Sequence, residues 1–441
     1  LADPANFVPC LALILFSAAV YCVQAYSGPD LPPGPYCGKR NECCRDRRDA
    51  CAHRILGNTL CYCDEFCNRT TSHDDCCPDY VPVCLGIRPT PAPLPVKLPC
   101  QYKNKYYLPG SSRMDNCNRC ECIETSNEEA SWRCDDDPCL MSDRVVEGVN
   151  SRSHSWRATT YPPFLGKKLS DGIVYKLVIL VTNTKRMGPI RYDKDISYPV
   201  NFDARKRWPG FITPISDQGW CGSDWAVAIA SVASDRFAIQ SNGAEKLVLS
   251  PQTFLSCNVR QQQGCKGGHI EVAWPFARYH GLVDEQCFPY KEAVTRCPFK
   301  PHGNLLEDGC RLPTTVHRTD RYKVGPPARL QKEKDIMYDI MESGPVQAVM
   351  TVYQDFFHYR DGIYRHSPYG NEDMKGYHSV RVIGWGEEGG QKYWLVANSW
   401  GEKWGENGYF RIARGYDESG IESFVVTVLA DVIEANMVHS P

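Results

Sequence analysis

The sequence predicts an α+β protein in which small disulfide-rich modules precede one larger globular domain. Three observations predict it. The 24 cysteines of the 441-residue chain fall into groups. Ten lie between Cys37 and Cys84, six between Cys100 and Cys139 and six between Cys221 and Cys310, each an even number, as closed disulfide sets require. Second, Ala, Val, Ile, Trp and Phe dominate nearly every face of Trp225 to Ile239, the pattern of one helix buried through a domain centre, with Gly243 as its C′ residue. Third, the chain from Pro345 onward reads mainly as strands.

The remaining two cysteines, Cys10 and Cys22, lie in an apolar N-terminal stretch. Val8 to Val23 is almost unbroken in its apolarity, and Val23-Gln24-Ala25 suits signal peptidase, so residues 1–25 read as a signal peptide. The run is too short for stable membrane insertion. Secretion agrees with the cysteine density, which suits an oxidising compartment. Fifty basic against 52 acidic residues leave a net charge of −2, which gives no support to nucleic-acid binding. Asn68-Arg69-Thr70 is a glycosylation sequon. No cofactor or metal is expected.

Residues 35–84 are polar and cysteine-dense, so covalent staples must replace a core. Cys61-x-Cys63-x-x-x-Cys67, Cys76-Cys77 and Cys84 resemble a somatomedin B module, but with ten cysteines where eight are usual; the pairing stays open. Residues 85–99 hold five prolines and read as a semi-rigid linker; an SH3 or WW ligand is the sharper reading, which secretion disfavours. Cys117-x-x-Cys120-x-Cys122 in residues 100–140 resembles part of a von Willebrand factor type C module. A zinc site is the rival reading, against which oxidation argues.

Residues 141–198 are short of cysteine, and Val149-Asn150 with Ser155-Trp156-Arg157-Ala158 resembles the end of a propeptide. From 199 to 432 several motifs occur in order: Pro199-Val-Asn-Phe-Asp-Ala-Arg205, Asp217-Gln218-Gly219-Trp220-Cys221-Gly222-Ser223-Asp224-Trp225-Ala226, Ser250-Pro251-Gln252 with Ser256-Cys257, Gly264-Cys265-Lys266-Gly267-Gly268, Gly376-Tyr377-His378-Ser379-Val380 before Gly384-Trp385-Gly386, and Asn398-Ser399-Trp400-Gly401. Together they resemble the papain family, cathepsin B most closely. The resemblance implies a papain-like two-lobed domain, with a helical left lobe and a β-rich right lobe. It implies an oxyanion role for Gln218, a base role for His378 and an orienting role for Asn398. It also implies a cleft bounded by Gly267, Gly268, Trp400 and Phe424, and disulfides Cys221–Cys265, Cys257–Cys297 and Cys287–Cys310.

Such chemistry needs a thiolate, activated by a helix N-terminus and an imidazolium. Here Asp224 stands at the cysteine position, with no gap to shift the register. Cys221 matches the structural cysteine, and Ser223 lies one residue early. A carboxylate attacking an amide would form an anhydride better activated than the amide, so collapse back is favoured; carboxylate nucleophiles serve glycosidases and phosphoryl transfer. Asp224 is instead expected to open the helix and pair as Asp⁻ with His378⁺, keeping the site's charges while deleting the chemistry. Two further departures concern the cleft. Residues 287–310 sit where cathepsin B carries its occluding loop, yet hold only His302, and Phe424 stands where a glutamate is usual, favouring apolar groups in that pocket.

The whole layout resembles the tubulointerstitial nephritis antigen group of secreted, matrix-associated glycoproteins with inactive peptidase domains, usually serine at this position. It implies an extracellular binding protein whose partners are matrix proteins, cell-surface receptors or polysaccharide, with peptide as a further ligand of the cleft. The alternatives are an active hydrolase using Asp224 and His378, and a decoy for peptidase inhibitors or substrates. No Arg-Gly-Asp tripeptide occurs.

Overall fold

The computed structural model describes residues 34–39, 42–56, 59–68, 75–87, 99–125, 130–151, 155–177, 179, 187–192, 196–311 and 318–433. The expected signal peptide and most of the proline-rich linker lie outside these residues. The chain divides into two compact units, Leu1–Val96 and Lys97–Pro441.

In the first unit disulfides stand in for a core. The bridges are Cys37–Cys63, Cys43–Cys84, Cys44–Cys51, Cys61–Cys77 and Cys67–Cys76. Their sulfurs cluster with Tyr36 and Tyr80. Asp79 accepts backbone N–H bonds from Tyr36, Cys37 and Gly38 at 2.8, 3.0 and 3.1 Å, so one carboxylate gathers three adjacent donors. Asn68 closes the short turn Glu65–Asn68 and is exposed.

The second unit has an α+β, two-cored architecture. Its ten-stranded sheet centres on Tyr409–Ala413, Gln391–Ala397, Gly376–Glu388, Val346–Val352 and Phe424–Thr427, in that spatial order. These neighbours are antiparallel. Trp385, Trp394 and Phe410 lie in the core of the β-rich lobe. Trp225, Phe254 and Trp274 lie in that of the helical lobe. Both edge strands come from residues 141–198: Trp156–Ala158 pairs antiparallel with Tyr359–Tyr364, and Pro189–Ile190 pairs parallel with Ala328–Leu330. The same segment buries Val145, Val149, Trp156, Phe164 and Leu169 in the β-rich lobe's core. Before it, the residues up to Cys139 fold on the bridges Cys100–Cys122, Cys117–Cys139 and Cys120–Cys134. Cys117 and Cys120, the pair the zinc reading used, are therefore both in disulfides.

The buried helix runs Asp224–Gln240. Five alanines, at 226, 228, 230, 233 and 238, favour it and let its neighbours approach closely. Its end differs from expectation by one residue. Asn242 is the left-handed C′ residue (φ 51°). Its N–H donates to Ile239 and that of Gly243 to Ala238, at 3.1 and 2.7 Å. Asparagine tolerates the left-handed well, so Gly243 falls at C″. More helix is present than the single one the sequence suggested: Gln252–Cys257, Ile270–Tyr279 and Glu333–Ser343 are also helical. Pro275 sits inside the second of these, and a proline in mid-pattern argues against helix when the sequence is read locally. Tertiary burial of Ile270, Ala273, Trp274 and Ala277 overrides it.

Candidate functional site

The site forms where the helical lobe meets the sheet. Asp224 is the first residue of the buried helix, His378 lies on the strand Gly376–Glu388 and Asn398 just follows Gln391–Ala397. All three are buried, Asp224 and His378 with 0% exposure. His378 Nε2 lies 2.7 Å from Asn398 Oδ1 and Nδ1 lies 3.0 Å from Asp224 Oδ2. The backbone N–H of Ser399 also donates to Asn398 Oδ1 at 2.8 Å, and that of Ser379 to Asp224 Oδ2 at 2.9 Å. Both ring nitrogens thus face oxygens already accepting from elsewhere. An imidazolium, which has two donors, matches a carboxylate and an amide oxygen. Trp400 covers the group, its ring 5.1 Å from that of His378 and stacked at 4.9 Å on Phe357.

One polar atom of the dyad is left over. Asp224 Oδ1 is buried with no hydrogen-bond partner, as is Asn398 Nδ2. A thiol is smaller and weaker in its demand for hydrogen bonds. The pocket satisfies one oxygen of the carboxylate and strands the other.

Gln218 lies beside this group but points elsewhere. Its Oε1 accepts from the Ser399 hydroxyl at 2.7 Å, and its Nε2 donates to Cys221 O at 3.0 Å. The same NH₂ faces the backbone carbonyls of Lys176 at 3.4 Å and Tyr175 at 3.5 Å. Ser223 Oγ meets Tyr290 Oη at 2.5 Å. Cys221 is bridged to Cys265, Cys257 to Cys297 and Cys287 to Cys310.

The cleft is occupied by the chain itself. After the helix Leu169–Lys176, Leu177 packs on Gly376, Ile179 forms a parallel bridge with Gly268, and its N–H donates to Tyr377 O at 3.4 Å. Gly268 carries no side chain because a Cβ would sit 2.5 Å from the Trp225 ring; Gly267 is buried with φ 114°. Ile179 and Met187 join the buried cluster that includes Phe424 and Val349. The Lys176 ammonium is tucked against the rings of Trp220 and Phe164, 5.2 and 5.6 Å from their centroids. Burial lowers its pKa to about 8, against the opposing pull of Asp217 and Glu292. His302, in the 287–310 segment, is exposed.

Reading the sequence for motifs missed the occupants Lys176, Leu177 and Ile179. Their only local signal was the short apolar run around them, since what they touch is distant in sequence.

The model of the papain family cysteine proteases matches residues 198–429. A human protein described as tubulointerstitial nephritis antigen-like is 41% identical, over 92% of this chain and 90% of its own length. The Caenorhabditis elegans cathepsin B-like cysteine proteinase 4 is 35% identical over 64% of this chain and 90% of its own. Among solved structures, procathepsin B S9 from Trypanosoma congolense superposes with a TM-score of 0.56 at 28% identity, over 66% of this chain and 99% of that one.

Proposed function

The chain belongs to the papain family, and from that membership we propose that it is a proteolytically silent, secreted member that acts as a binding protein in the extracellular matrix or at cell surfaces. One observation carries the silence: the residue paired with His378 Nδ1 at 3.0 Å is the carboxylate of Asp224. That pair holds the charges a thiolate–imidazolium pair would hold, but its nucleophile would form an anhydride and expel an amine, a step that reverses more readily than it proceeds. The filled cleft supports the same reading, because Gln218 Nε2 already faces the carbonyls of Tyr175 and Lys176.

Secretion is supported by the apolar N-terminal run and by eleven disulfides among the described residues, a density that suits an oxidising compartment. No described helix is long and apolar enough to cross a membrane. Matrix proteins, receptors or polysaccharide are the partner classes that fit.

The test compares the wild-type chain with Asp224→Cys on fluorogenic peptides, each before and after limited proteolysis between residues 180 and 198 to free the cleft. Turnover is expected only in the mutant. Wild-type turnover that His378→Ala abolishes would sink the proposal.

A further inference from the structure

A cavity of about 370 Å³ opens on the helical lobe, between the helices Gln252–Cys257 and Ile270–Tyr279 and the turn at 297–301. None of the residues of the cleft lines it. Its volume falls in the range of small-molecule sites, about 300–1,000 Å³. The walls are apolar and stiff. Val272, Pro275, Phe276 and Phe299 line them, and the Cys257–Cys297 bridge ties one side to the other.

One feature sets this cavity apart from a packing fault. The charge is one-sided: Arg260, Lys300 and Arg321 line the cavity, and no Asp or Glu does. Arg321 is neutralised by Asp308 at 2.7 Å. Arg260 and Lys300 are exposed and have no carboxylate partner among the described residues.

We propose that this cavity binds an amphipathic organic anion of the fatty-carboxylate class. The carboxylate would accept from Arg260 and Lys300, and the hydrocarbon body would lie among Val272, Phe276 and Phe299. A neutral or cationic amphiphile of the same length offers the same tail, but a weaker acceptor or none.

The test is calorimetric titration of the whole chain with octanoate, 1-octanol and octylammonium. Octanoate is expected to bind saturably with one-to-one stoichiometry, and octanol about tenfold more weakly or worse. The double charge reversal Arg260→Glu with Lys300→Glu changes only exposed side chains. It is expected to weaken octanoate by about tenfold with an unchanged melting temperature. Val272→Trp fills the cavity and should remove binding. Equal binding of all three amphiphiles, octanoate binding indifferent to the charge reversal, or no saturable octanoate binding would each overturn the proposal. Should Val272→Trp fail to fold, the surface variant still decides.

Discussion

Two buried carboxylates link the same helix to the same strand, and they are treated very differently. Asp224 and Asp235 both lie on Asp224–Gln240, both have 0% exposure, and both bond residues of Gly376–Glu388. At Asp235 each oxygen is used: Oδ1 accepts from the Thr213 N–H at 2.7 Å and its hydroxyl at 2.9 Å, and Oδ2 accepts from Arg381 Nη1 at 2.7 Å. At Asp224 both bonds converge on Oδ2 and Oδ1 has none. The first acid has partners placed for a carboxylate. The second stands among partners arranged for another atom. A buried charge is tolerated when its hydrogen bonds are complete; Asp235 meets that condition and Asp224 does not.

Stability measurements can break that contrast, and the largest effect is expected at Asp235. Asp235→Ala leaves Arg381 buried with no carboxylate and should cost about 3–5 kcal/mol in urea denaturation. Asp224→Ala removes an unsatisfied oxygen together with its charge. That change should stay within about 1 kcal/mol of wild type. Equal costs at the two positions would erase the distinction.

The next effect is on the pair itself. His378→Ala alone strands the Asp224 carboxylate and should cost about 2–3 kcal/mol, while the double variant with Asp224→Ala recovers most of it. The expected coupling in the cycle is about 1–3 kcal/mol. A coupling near zero would mean the 3.0 Å contact carries no charge interaction.

How much of this was legible in the sequence follows from the same contrast. The α+β, two-lobed architecture was readable, because motif order and the all-round apolar helix are local signals. Motif order singled out Gln218, Asp224, His378 and Asn398, and the structure brings three of the four together within 3.0 Å. The stranded Oδ1 was not readable, since nothing local says which way a carboxylate oxygen points. Nor was the occupied cleft: Lys176 and Ile179 meet Gln218 and Gly268 across dozens of residues, and the apolar run at 177–181 gives no hint of its docking site. The helix over Pro275 was lost for the opposite reason, a strong local signal overridden by burial.

A second buried histidine gives the smallest effect and the sharpest control. His378 faces two acceptors; His358 faces one acceptor and one donor. Its Nδ1 lies 3.0 Å from Thr159 O, and its Nε2 accepts from the Ser142 N–H at 3.2 Å. Only a neutral ring can do both. Burial lowers its pKa from the ordinary 6.5, despite the nearby acids Asp355 and Asp143. The sign follows. Above 6.5 the ring is neutral whether or not residues 142–159 are docked, and the anchorage is fully present. Below it, a freed ring takes up a proton that the docked ring refuses, so docking weakens as pH falls toward the lowered value, by at most about 1.4 kcal/mol per pH unit. Hydrogen exchange at Ser142 and Thr159 should therefore quicken below pH 6.5 beyond the intrinsic pH effect, and His358→Gln should flatten that extra dependence. Nitrogen-15 shifts should show one protonated nitrogen at His358 at neutral pH, the Nδ1 that faces Thr159 O. Two protonated nitrogens there would mean that the Ser142 N–H does not dictate the ring's proton.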